Sequence, residues 1–274
     1  MKKILLAFDG LHFSEGAFEF ARQLNDLQPI LLVGAFVPQL SYANLWSYAN
    51  GAAGAMYIPT LEEEDSAAVE KNISRFKELC EKNFINCKVH KDFYDFALPE
   101  LRKETRYADL LIISSESFYQ NIHDGNPEAY LKEALRHSEC PVIIVPEHFQ
   151  FPKVNILAYD GSDSSAYAIK QFAYLFPELH NQETLLVYSS AKDDNPLPAA
   201  GQIEELVKQH FFDVSLFKLD LNPTNFFSKW VSERPASILV CGSFGRSMVS
   251  EMFHKSFATQ VITQHRIPVF IAHK

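Results

Sequence analysis

The sequence has no apolar run approaching the ~20 residues that a membrane helix needs, and it has no Cys-x-x-Cys. The first absence sets aside a helical membrane span. The second, with only four cysteines (Cys80, Cys87, Cys140, Cys241), sets aside a zinc ribbon or a disulfide framework. Free thiols buried in a protein of the reducing cytoplasm are the expectation. Positive charge is also scarce, with 25 Lys and Arg against 34 Asp and Glu, a net charge of −9. Nucleic-acid surfaces need clustered cations to neutralise phosphates, so that class of partner is not expected. Met1 to Phe8 starts like a secretion signal, but Asp9 ends its apolar run too early for one.

Catalytic signatures are missing as well. There is no Gly-x-x-x-x-Gly-Lys-Ser/Thr, no Gly-x-Gly-x-x-Gly and no Gly-x-Ser-x-Gly. The ten histidines show no metal-ligand spacing. Asp163, Asp193 and Asp194 read as turn residues, with nothing pairing them as acid and base. A binding protein is expected, not an enzyme.

What the chain does contain is itself, twice. Ile4-Leu-Leu-Ala-Phe-Asp9-Gly10 returns as Ile156-Leu-Ala-Tyr-Asp160-Gly161. Ala108-Asp-Leu-Leu-Ile-Ile is answered by Ala236-Ser-Ile-Leu-Val-Cys, and Cys140-Pro-Val-Ile-Ile-Val by Ile267-Pro-Val-Phe-Ile-Ala. The closing pairs are nearer together in sequence than the opening pair, so the first half holds an insertion. Ser41 to Thr60, rich in Ala, Gly, Tyr and Trp, holds most of it. A repeat of this length implies two domains, 1–148 and 153–274, joined by a short tether at Pro152.

Each half alternates strand and helix. Strands are expected at 4–8, 30–37, 88–93, 110–113 and 142–145, then at 154–159, 184–189, 214–219, 237–241 and 268–272. Ser14 is placed to cap a helix carrying Ala17, Phe18, Ala21 and Leu24 on one face. Val69, Ile73, Phe76 and Cys80 mark a second helix within 61–82. Others fall at 99–105, 128–137, 164–176, 201–211, 224–232 and 256–265. Alternation of this kind predicts two open, doubly wound parallel sheets of α/β, Rossmann-like type, covered by helices on both faces.

Ligands of such sheets sit beyond the carboxyl ends of the strands, where the strand order reverses. In the second half Asp160-Gly161-Ser162 follows the first strand and Tyr188 closes the second. Gly242-Ser243-Phe244-Gly245-Arg246-Ser247 follows the fourth strand, with Lys255-Ser256 opening a helix. Glycines let backbone N–H groups approach a ligand, and a helix N-terminus favours negative charge, so this turn suits phosphate. Asp160 can accept hydrogen bonds from a ribose hydroxyl or a base amine.

These residues resemble a tandem universal stress protein, two copies covering nearly the whole chain. The resemblance implies an adenine nucleotide alpha hydrolase-like fold and a non-enzymatic stress-response role in binding or signalling. It also implies ATP or ADP, with or without Mg, held by an Asp after strand one and a Gly-x-x-Gly-x(9)-Gly-Ser/Thr loop. Those positions fall on Asp160, Gly242, Gly245 and Ser256, with Lys255 in place of the third glycine. A small apolar residue that lines the adenine site falls at or near Tyr188. Gly161, Ser162, Arg246, Ser247 and Lys255 complete the candidate set by position. In the first half Ser114 and Ser117 replace the glycines and Glu116 stands between them, so that site reads as degenerate although Asp9 is retained. The last strands of the halves are expected to pair antiparallel within one chain, a homodimer being compatible with this. The alternative reading is a nucleotide-free interaction and dimerisation module.

Overall fold

The computed structural model describes residues 1–9, 11–37, 63–91, 97–116, 134–189, 197–219, 230–231, 233–242 and 266–272. Among these residues ten strands form one sheet: β1 Lys2–Phe8, β2 Ile30–Phe36, β3 Asn86–Lys91, β4 Leu110–Ser114, β5 Val142–Val145, β6 Val154–Tyr159, β7 Glu183–Ser189, β8 Asp213–Leu219, β9 Ser237–Gly242 and β10 Val269–Ala272. Their spatial order is β3-β2-β1-β4-β5-β10-β9-β6-β7-β8. The second half therefore repeats the order of the first, read outward from the middle. The central strands are buried from end to end, as their unbroken apolar runs require when helices cover both faces.

The helices follow from caps and periodicity. α1 (Glu15–Leu27) starts at Ser14, whose hydroxyl accepts the N–H of Ala17, and it buries Ala17, Phe18, Phe20, Ala21 and Leu24. α2 (Glu63–Lys82) buries Val69, Ile73, Phe76 and Cys80, the spacing expected of one helical face. It ends where the Ile85 N–H bonds the Cys80 carbonyl and Phe84 takes the left-handed conformation with φ 55°. α3 is Ala97–Thr105, α4 is Asp163–Leu175 and α5 is Ala200–His210. A short 3₁₀ turn at Pro177–Leu179, not expected from periodicity, starts on a proline that already has the required φ. β3 begins two residues earlier than its pattern suggests. Of the helices expected at 128–137 and 224–232, only 134–137 and 230–231 are described as helical. The Ser41–Thr60 insertion and the helix expected at 256–265 lie outside the described residues.

The two expected sheets merge into one through the pairing of their last strands. β5 and β10 pair antiparallel, Val142 opposite Ile271, Ile143 opposite Phe270 and Ile144 opposite Val269. Every other strand pairing is parallel. One apolar cluster runs beneath the junction from α1 to α4. Phe270 packs edge-on against Phe172 and Phe176, ring centres 5.3 and 6.0 Å apart. Phe149 and Phe151 of the connecting segment pack on Phe20. Lys2 reaches across to Glu178 at 2.5 Å, its ammonium 5.1 Å from the centre of the Phe176 ring.

Phe270→Ala should lower stability by about 3–5 kcal/mol, the usual cost of deleting a buried ring, measured as a shift in denaturant midpoint. Segments 1–148 and 153–274 made separately should self-associate or precipitate, because each would expose an apolar edge strand. Two soluble monomers in sedimentation would contradict that expectation.

Candidate functional site

The order of strands reverses at β6, which lies between β7 and β9, so a crevice opens at the carboxyl ends of β6 and β9. Asp160 leaves β6 at this point and is exposed. One of its carboxylate oxygens accepts the Ser162 N–H at 2.9 Å, tightening the turn into α4. Gly161 makes that turn with φ 83°, and a Cβ there would lie 2.6 Å from the Cβ of Pro198. The Ser162 hydroxyl accepts the Ser165 N–H at 3.1 Å and so caps α4. Its candidate role at a ligand is thus joined by a local one. Asp163 is the first residue of α4, not a turn residue, and its charge suits the positive end of the helix dipole.

Gly242 closes β9, and its lack of a side chain has a reason that the motif alone does not reveal. A Cβ there would sit 2.4 Å from the carbonyl carbon of Ser164 and 2.6 Å from the Ser165 nitrogen. The bare backbone lets the first turn of α4 lie directly on the end of β9. Asp160 is near enough for its charge to act on Cys241: burial first, then Asp160, pushes that thiol up to about 12. Burial and the same carboxylate also raise the phenol of Tyr159, which donates to the Pro198 carbonyl at 3.0 Å. Tyr188 ends up buried, beside Tyr159 in the parallel register. The structure therefore brings Asp160, Gly161, Ser162 and Gly242 together, with Tyr188 one strand further on. Gly245, Arg246, Ser247, Lys255 and Ser256 lie outside the described residues.

At the matching point of the first half, between β1 and β4, the chain's own side chains bond one another. Asp9 is 1% exposed. One of its oxygens accepts the N–H groups of Leu11 at 2.9 Å and His12 at 2.8 Å, and the other lies 3.0 Å from His12 Nδ1. Burial raises its pKa, and the bonds to His12 oppose that shift without cancelling it. Phe8, at the end of β1, stacks between Phe13 (4.9 Å) and Phe36 (4.7 Å), with Phe76 edge-on at 6.0 Å. On the other side of the crevice Glu147 accepts the Gly16 N–H at 2.9 Å and the Ser114 hydroxyl at 3.0 Å. Glu116 accepts the N–H of Glu147 at 2.7 Å. Ser117 lies outside the described residues. His12 and Glu147 went unnoticed in the sequence; the Asp-x-x-His spacing could have flagged the first, but nothing local flags the second.

Among the described residues no group of three or more His, Cys, Asp or Glu could hold a metal ion. No helix among them is long and apolar enough to cross a membrane.

Two measurements check this geometry. Gly242→Ala should destabilise the ligand-free protein by about 1–3 kcal/mol, as overpacking does; an unchanged melting temperature would contradict the close approach. The raised pKa of Asp9 means that the folded state holds its proton more tightly than the unfolded state. Stability should therefore fall as pH rises through the window above the ordinary value of 3.8. Asp9→Asn should flatten that slope, read from urea midpoints across the acid range.

No family model and no curated protein matches the sequence. Solved structures do match. A universal stress protein from Archaeoglobus fulgidus DSM 4304 superposes with a TM-score of 0.74 at 19% identity, covering 100% of this chain and 96% of that one. A protein from Pseudomonas aeruginosa UCBPP-PA14, provisionally described as a universal stress protein, gives 0.56 at 10% identity, with 100% and 93% covered. A functionally unknown protein from Pseudomonas aeruginosa PAO1 gives 0.56 at 10%, with 100% and 92% covered. With its strand order repeated on either side of one antiparallel seam, the chain has the fold of the universal stress proteins along its whole length.

Proposed function

We propose that the chain is a tandem universal stress protein of two domains, 1–148 and 153–274, that binds one ATP or ADP in the second domain. Its role would be binding or signalling in the cytoplasmic stress response, without dedicated catalysis. The observation that carries this reading is the contrast between the two aspartates after the first strands. Asp160 is exposed beside Gly242 at a point of strand-order reversal, whereas Asp9 is 1% exposed and already bonded to Leu11 and His12. A buried carboxylate with its acceptors in use offers nothing to a ribose; an exposed one does.

In this reading Asp160 accepts from the ribose or the base, and Gly161 and Ser162 shape the start of α4 beneath it. Gly242, Gly245, Arg246, Ser247, Lys255 and Ser256 surround the phosphates and any Mg that accompanies them. A charge-assisted bond from Lys255 would contribute about 1.5–3 kcal/mol, offsetting the missing third glycine. A second reading, a nucleotide-free interaction and dimerisation module, draws on Tyr188 and Gly242. The tyrosine is buried where the family has a small residue, and the glycine is already required for packing.

Titration calorimetry on the full chain separates the two. One ATP per chain is expected, with Asp160→Ala weakening binding about 10–100-fold, the equivalent of one strong hydrogen bond. Gly245→Val should abolish binding, and Asp9→Ala should leave it intact. A stoichiometry of two would refute the degenerate first site. Absence of binding at millimolar ATP, by a folded and ligand-free protein, would favour the interaction module.

A further inference from the structure

At the amino-terminal edge of the sheet, away from both crevices, two cysteines meet at the corner between α2 and β3. Cys80 lies on the buried face of α2 and is 0% exposed. The chain then turns through Phe84 in its left-handed conformation, and the Ile85 N–H bonds back to the Cys80 carbonyl at 2.9 Å. That bond fixes the corner. Strand alternation then directs Cys87, two residues beyond Ile85, toward the same apolar cluster that contains Cys80. Cys87 packs against that cluster near enough for its thiol to act on Cys80: burial first, then Cys87, raises the pKa of Cys80 well above the ordinary thiol range.

The other two cysteines are placed differently. Cys140 and Cys241 belong to the cluster on the opposite face of the sheet, and both are buried. Cys87 alone of the four is partly exposed. The corner thus pairs one thiol that a small oxidant can reach with one that it cannot.

We propose that Cys80 and Cys87 form a reversible redox pair that closes to an intramolecular disulfide when a hydroperoxide reaches Cys87. The Cys87 thiol gives up its proton and its sulfur attacks one peroxide oxygen; the O–O bond breaks to leave a sulfenic acid and a hydroxide, which takes up that proton as the first water. Cys80 sulfur then bonds the Cys87 sulfur and the S–OH bond breaks, the hydroxyl leaving with the Cys80 proton as the second water. Two thiols lose two electrons and one hydrogen peroxide becomes two waters. A thiol reductant reverses the step by exchange. Burial makes Cys80 a poor first target and keeps it protonated until its neighbour has been activated. The bond would tie the end of α2 to the edge strand β3.

The test uses the full-length, fully reduced chain treated with hydrogen peroxide, denatured, alkylated and mapped by mass spectrometry. Two of the four alkylatable thiols should be lost together. A cross-linked peptide should join Cys80 to Cys87, and dithiothreitol should restore both. In Cys87→Ser, Cys80 should stay alkylatable under the same treatment. Three outcomes would overturn the proposal: retention of all four thiols, over-oxidation of Cys87 with Cys80 still free, or a link to Cys140, Cys241 or a second chain. Each is read on the unsubstituted protein, so a variant that fails to fold does not decide the matter.

Discussion

The antiparallel contact between β5 and β10 is the constraint on which the rest of the molecule depends. Three residue pairs join two five-stranded sheets into one of ten. Short, apolar, β-branched strands left at an edge invite association with other chains, and the seam removes two such edges at once. Phe270 and Phe20 carry the apolar cluster beneath it, so the halves share a core instead of merely touching. Reversal of strand direction at the seam has a further consequence. The carboxyl ends of β1 and β4 point to one edge of the sheet, and those of β6 and β9 to the other. The two sets of strand ends therefore face opposite ways.

The halves keep the same order of strands while their crevices have diverged, and the physical reason lies in where each constraint acts. Strand interiors are buried on both faces, so almost any change there costs packing energy. Strand ends meet solvent or a ligand and can change with little cost to the sheet. In the first half those ends carry Phe8 and Phe36 stacked together, a buried Asp9 and the Glu147 carboxylate. The Gly16 N–H in the first turn of α1 already bonds the Glu147 carboxylate. In the second half Asp160 remains open beside the start of α4. The asymmetry read from Ser114 and Glu116 thus has a counterpart in side chains that the motif did not include.

Much of this was legible from the sequence because it is written in local pattern. Ser14 precedes a helix by the spacing of an N-cap. Val69, Ile73, Phe76 and Cys80 repeat at the helical period, and the opening strand recurs in pattern, Leu-Ala-Phe-Asp9-Gly10 as Leu-Ala-Tyr-Asp160-Gly161. The capping and periodic signals involve residues within one or two turns of each other. What could not be read concerns groups brought together from afar. Gly242 is excluded from carrying a side chain by Ser164, and Glu147 bonds Gly16 across more than a hundred residues. Tyr188 is carried into the interior by its register with Tyr159.

The sequence by itself determined the elements, their order, the duplication and the position of the aspartates and glycines after particular strands. Local sterics, caps and the alternation of buried and exposed positions are properties of short stretches, and short stretches suffice to display them. Only the tertiary structure decided that Asp9 is buried while Asp160 is exposed, and that Cys80 and Cys87 pack on one apolar cluster. Those outcomes depend on distances between residues remote in sequence, which packing sets and no local pattern records.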